Sequence, residues 1–182
     1  MHDVLLKGTV VTPSAVLENG WVAIDGTKIS RLGQGTPPAA QDIRDYGESR
    51  ILPGGIDAQV HSRSQKGQED FIWITRAAAA GGITTIADMP YDEGFLVNTA
   101  DRLKQKAAEA GEQARVDFAL WGTIAPGDSQ HHIGEMAAAG ACGFKFSTFV
   151  TDPKRLLRTP ADLLARCPGP LGADGPVSGV LN

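Results

Sequence analysis

The sequence predicts an α/β protein, a series of parallel βα units led by a small β module. Three observations carry this. Short stretches with β-branched residues and turn glycines fill residues 1–51. From Leu52 onward, short apolar runs alternate with longer helical stretches at a spacing of about 30 residues. Glycines close the helical stretches at Gly81-Gly82, Gly111 and Gly140.

Taken in order, VLLKGTVVTP, NGWVAIDGTKISRLG and RDYGESRILP read as strands. Asn19-Gly20 and Asp25-Gly26 are hairpin signals, because both pairs tolerate positive φ. Pro37-Pro38-Ala39-Ala40 reads as a loop. Ile56 to His61 is a short strand, Glu69 to Ala80 a helix, and Ile83 to Asp88 a buried strand closed by Met89-Pro90. Thr99 to Ala110 is a charged amphipathic helix, and Arg115 to Trp121 a third strand. Ile133 to Ala139 is a helix and Cys142 to Phe146 a fourth strand. Such units build either a (β/α)8 barrel or an open doubly wound sheet. No GxGxxG follows the first strand, which weighs against a dinucleotide-binding sheet.

Three segments result: a β module over 1–51, βα units over 52–166 and an irregular Gly/Pro-rich tail over 167–182. About four βα units fit in the middle segment, where a full barrel takes roughly 200 to 250 residues. The expectation is the front portion of a longer protein, with sheet edges that invite association.

A chain of 182 residues with 42% hydrophobic content is an ordinary globular size and composition. A net charge of -4 gives no footprint for nucleic acid or an anionic membrane. No apolar run approaches the roughly 18 residues that span a bilayer, and MHDVLLKG lacks the pattern of a signal peptide. Cys142 and Cys167 lack CxxC spacing and read as reduced thiols of a cytoplasmic protein.

ILPGGIDAQVHSR (51–63), EDFIWITRAAAAGGITTIADMP (69–90), the β module and GFKFS (143–147) together carry a resemblance. The chain is similar to the cyclic-amide branch of the amidohydrolase superfamily, which includes dihydroorotases, allantoinases and hydantoinases. The resemblance covers about residues 4–160. It implies a (β/α)8 TIM-type barrel, here partial, preceded by a small β-sandwich module. It also implies one or two divalent metals, usually zinc, and a small cyclic amide as substrate. In that family the first strand carries Asp-x-His-x-His. Here it reads Asp57-Ala58-Gln59-Val60-His61, so the resemblance puts Gln59 and His61 at the ligand positions. It puts Lys145 at the lysine that becomes carboxylated, and Arg63 where dihydroorotases grip a substrate carboxylate through the planar guanidinium fork. The family's remaining ligands and its catalytic aspartate come from later strands, so no catalytic residue is assigned.

The chemistry of these residues sets what to expect of them. Imidazole suits zinc, and side chains at i and i+2 of a strand face one side. Glutamine offers only a neutral amide oxygen, so Gln59 should weaken metal binding sharply. Lysine ligates only as a carbamate, which needs a depressed pKa from burial or nearby cations. By itself, a lone His61 reads as a hydrogen-bonded core or surface residue, Lys145 as a snorkelling lysine and Arg63 as a surface arginine. Asp57 reads as structural and Asp88 as a loop cap. His131-His132 reads as a solvated pair, and Glu69, Asp70 and Glu93 as loop and first-turn charge. The family's dihydroorotases follow Met-Pro with asparagine. Tyr91-Asp92 here favours an allantoin-like or hydantoin-like ring.

The reading is therefore a cyclic-amide hydrolase, a homo-oligomer in the cytoplasm, inactive as this chain alone. A second reading is a non-catalytic scaffold or assembly partner. A third is an unrelated open α/β binding domain.

Overall fold

The computed structural model describes residues 1–147 and 178–181. The chain divides into two compact units, Met1–Gly54 and Gly55–Asn182.

The first unit is a single four-stranded sheet. Its strands are β1 (His2–Val11), β2 (Val16–Asp25), β3 (Lys28–Gln34) and β4 (Ala40–Ile51), in the order β3-β2-β1-β4. β1 and β4 run parallel and the other pairs antiparallel. Asp25-Gly26 makes the turn between β2 and β3, with Gly26 at φ 57°. Asn19-Gly20 makes no hairpin. β2 runs through it, and the positive φ of Asn19 (51°) sits opposite a register slip between Gly8 and Val10. The physical reason is close approach: a Cβ on Gly20 would lie 2.6 Å from the Leu17 carbonyl oxygen. The pair is spent on a bulge within a strand. Ala40 begins β4 and does not belong to the proline loop. The sandwich expected here is, among the described residues of this unit, one sheet.

The second unit is a parallel sheet backed by helices. Its elements are β5 (Gly55–Val60), α1 (Phe71–Ala80), β6 (Ile83–Asp88), the short β7 (Tyr91–Asp92) and β8 (Phe95–Leu96), α2 (Ala100–Gln113), β9 (Asp117–Gly122), α3 (His131–Ala138), β10 (Gly143–Phe146) and β11 (Ser178–Leu181). The main sheet has the order β11-β10-β9-β6-β5, every neighbouring pair parallel. Each strand lies beside its predecessor. A doubly wound sheet reverses direction at a switch point; a barrel does not. The order thus fits part of a (β/α)8 barrel.

The helices follow local chemistry. Asp70 caps α1 by accepting from the Phe71 N–H at 2.7 Å, and Gly82 leaves it at φ 79°. Thr99 caps α2 through the Arg102 N–H. α2 runs past Gly111 to Gln113, because nothing there needs a left-handed residue and the Ala114 N–H still reaches the Ala110 carbonyl at 2.8 Å. Phe71 of α1, Leu103 and Ala110 of α2, and Met136 of α3 pack in one core with Ile86, Leu120, Phe144 and Phe146 of the strands. All three helices therefore cover one sheet face.

The opposite face carries a smaller cluster, Ala87, Met89 and Trp121. Trp121 Nε1 donates to the Ala58 carbonyl at 3.2 Å, reaching from β9 past β6 to β5. Two strand spacings of about 4.8 Å lie between. An indole spans them only if the sheet curves toward this face, so the face is concave.

Of the 167–182 segment expected to be irregular, Ser178–Leu181 is a strand paired in register with β10, and the rest lies outside the described residues. No helix among the described residues is long and apolar enough to cross a membrane.

Candidate active site at the strand exits

The residues singled out from sequence lie at or near the carboxyl ends of the parallel strands, where such sheets place their chemistry. Gln59 is in β5 and exposed. Its N–H donates to Asp57 Oδ1 at 3.0 Å, a local turn bond that gives Asp57 its structural role. The β5–β6 register slips between Asp57 and Val60. His61 lies one residue beyond the end of β5, with Nδ1 3.2 Å from Ser64 Oγ. Pleat alternation over a regular strand is thus absent across positions 59–61, so alternation alone does not turn Gln59 and His61 to one side.

Lys145 is in β10, and only 6% exposed. Phe144 and Phe146 enter the helix-side core, so alternation turns Lys145 to the concave face. Burial pushes its pKa below the ordinary lysine value. Its carbonyl accepts from Thr123 Oγ1 at 2.7 Å and from the Tyr91 hydroxyl at 3.3 Å. Ser147 Oγ donates to the Tyr91 hydroxyl at 2.9 Å. Three hydroxyls, from β7 and from the residues just past β9 and β10, thus meet at the exit of the fourth strand.

Arg63 follows β5 in a left-handed conformation, φ 50°. Its guanidinium lies 2.9 Å from Asp92 Oδ2, 2.8 Å from Glu109 Oε2 and 3.7 Å from Asp70 Oδ1, and stacks 5.3 Å over the Phe71 ring. Burial works against its charge, but the Glu109 hydrogen bond and the three carboxylates outweigh it and raise its pKa. Glu109 is held below the usual carboxylate range, first by Arg63 and then by Gln105. Burial pushes Asp92 up, against the pull of Lys106 and Arg63.

Lys106 was missed. It is 1% exposed on α2. Its ammonium lies 2.6 Å from Asp88 Oδ2, donates to the Met89 carbonyl at 2.9 Å and pairs with Asp92. Asp88 is sealed as well, and its two oxygens accept the Ser62 N–H and Oγ, both at 2.8 Å. Asp88 is therefore a loop cap and an ion-pair partner together. The sequence did hold a signal for Lys106. It occupies the buried stripe of α2 with Leu103 and Ala110, at spacings of three and four residues.

Set against the needs of zinc, the three candidate positions offer one imidazole, one neutral amide oxygen and one amine that is ordinarily a cation. No group of three or more His, Cys, Asp or Glu able to hold a metal occurs among the described residues. These donors alone do not fit a zinc centre.

No family model matches the chain. An allantoinase of Bacillus velezensis is 35% identical over 147 residues, 79% of this chain and 32% of that protein. A dihydroorotase of Aeropyrum pernix is 34% identical over 137 residues, 74% of this chain and 32% of that protein. The solved structure of an L-hydantoinase (dihydropyrimidinase) from Arthrobacter aurescens superposes with a TM-score of 0.80 at 29% identity, covering 90% of this chain and 37% of that one. The chain spans 32% of the length of these two curated relatives. With its singly wound parallel sheet and this breadth of likeness, the chain is a homologue of the cyclic-amide amidohydrolases, the allantoinases, hydantoinases and dihydroorotases.

Proposed function

We propose that this chain contributes one side of a hydrolytic site for small cyclic amides, with His61 and Lys145 as its strongest metal-side positions and Gln59 as a weak one. The observation that supports this best is Lys145: a lysine buried on the concave face, its pKa lowered by burial, at the position where the resemblance calls for the metal-bridging lysine. Zinc in this reading would need donors besides the described ones.

Hydrolysis of a ring amide adds water across the C–N bond. Oxygen joins the carbonyl carbon and a proton ends on the leaving nitrogen. Arg63 bears on which ring is taken. Its guanidinium is committed to Asp92, Glu109 and Asp70. Gripping a substrate carboxylate would require it to leave them. A ring without a carboxylate, allantoin-like or hydantoin-like, makes no such demand, and this supports that class over dihydroorotate.

The 182-residue chain alone is expected to open none of these rings. Purified chain with excess zinc, assayed against allantoin, hydantoin and dihydroorotate, tests this. Metal-dependent ring opening well above the uncatalysed rate would overturn the weak-donor argument. Weak zinc binding lost in His61→Ala would support the proposed metal side, and weak binding unchanged by that substitution would place it elsewhere.

A further inference from the structure

We propose that Lys106 is the positioning residue of this site, a buried cation that ties the exit of β5 to the exit of β6 and, through Tyr91, sets the backbone around Lys145. The site it serves is the one proposed above; the coupling itself rests on contacts.

Four connections make the case. Lys106 holds both ends of the five-residue segment from Asp88 to Asp92, pairing with each carboxylate and binding the Met89 carbonyl between them. Asp88 passes the constraint to Ser62, the residue after His61, through two hydrogen bonds. The Met89 N–H adds a bond to the Val60 carbonyl at 2.8 Å, on the other side of His61. Asp92 follows Tyr91 in a two-residue strand, where successive side chains point oppositely. Asp92 turns to Lys106 and Arg63, while the Tyr91 hydroxyl meets Thr123, Ser147 and the Lys145 carbonyl.

A cation serves here where an apolar side chain would not. Two carboxylates and a carbonyl converge on one point among buried groups, and only a multiply donating charge satisfies all three. An outer arm, Arg63 to Glu109, is partly open to solvent.

The chain has only two tyrosines, Tyr46 at 49% exposure and Tyr91 at 5%. The 182-residue chain labelled with 3-fluorotyrosine therefore gives a buried 19F signal and an exposed one, assigned with Tyr46→Phe. Lys106→Met and the nearly isosteric Asp92→Asn should both move the Tyr91 signal toward the exposed position and leave Tyr46 in place. Lys106→Arg should recover part of the shift, and Glu109→Gln should cause none. In parallel, pulse acetylation read by mass spectrometry should show Lys145 reacting severalfold faster in Lys106→Met and Asp92→Asn, relative to Lys104. A Tyr91 signal unmoved in folded Asp92→Asn overturns the proposal, as does a moved signal with unchanged Lys145 labelling. Asp92→Asn, compared with Arg63→Gln to separate its two cation partners, carries the test if Lys106→Met does not fold. Neither readout uses zinc or substrate, so loss of the functional reading would leave both standing.

Discussion

The ammonium of Lys106 and the carboxylate of Asp88 lie 2.6 Å apart with neither group open to solvent. Removing one member strands the other charge in the interior. That costs about 3 to 5 kcal/mol when no replacement partner is at hand. Lys106→Met should therefore lose stability on this scale in urea unfolding. Lys106→Met combined with Asp88→Asn should lose less than the sum of the single changes, because the second change removes the stranded charge. Additive losses would show that the two residues act independently.

Glu109 gives a pH-dependent arm. Its folded pKa is lowered from 4.5, first by the Arg63 hydrogen bond. The native state therefore binds its proton less readily than the unfolded chain. The stabilisation is present above the unfolded value and fades as pH falls through the lowered folded one. Stability curves for wild type and Glu109→Gln should differ at about pH 6 and converge as pH falls through the lowered folded value. The Glu109 side chain is more than a third exposed, so solvent screening should hold the gap to about 1 kcal/mol or less. Asp92 shifts the other way but is common to both proteins, so the difference isolates Glu109.

Lys145 carries the opposite sign on the basic side. Burial lowers its folded pKa from 10.5, so the folded chain binds the proton less tightly than the unfolded one. Below the depressed value the cost of burying the charge is paid in full. As pH rises through the window up to 10.5, the cost disappears. Lys145→Met should accordingly gain most relative to wild type at neutral pH, and the gain should shrink as the solution becomes basic. A difference independent of pH would show that Lys145 is not held in a desolvated setting.

What the sequence made legible divides along a physical line. Periodicity and glycine punctuation depend on near neighbours, and they located the βα units from Ile56 to Phe146 within a few residues. Strand order is a long-range property, and the choice between a barrel and a doubly wound sheet was open until β5, β6, β9 and β10 were seen side by side in sequence order. Asn19-Gly20 has the local chemistry of a turn, yet its left-handed residue serves a bulge because β1 and β3 flank it. Ser178–Leu181 shows little strand pattern of its own and takes it from pairing with β10. At the candidate site, His61 and Lys145 stood out by residue type and motif. Lys106 was hidden because a lysine in an amphipathic helix is ordinarily solvated, and only its place in the buried stripe marked it. Arg63 was visible as a charge, but its three carboxylate partners come from three separate stretches of chain.

The edge of the parallel sheet gives a last prediction. Among the described residues β5 pairs with β6 alone, and Ile56 within it is 72% exposed. An open edge strand bearing an exposed β-branched apolar residue is a template for pairing with other chains, and natural edges suppress this with charge, most often lysine. The wild-type chain should therefore associate as its concentration rises, seen as a growing mean mass in sedimentation velocity. Ile56→Lys should reduce that association. Because position 56 is already in solvent, the change should move unfolding stability by no more than about 0.5 kcal/mol. Equal association of the two proteins at matched concentration would place the contact elsewhere than on β5, and a large loss of stability would mean that Ile56 is packed in solution.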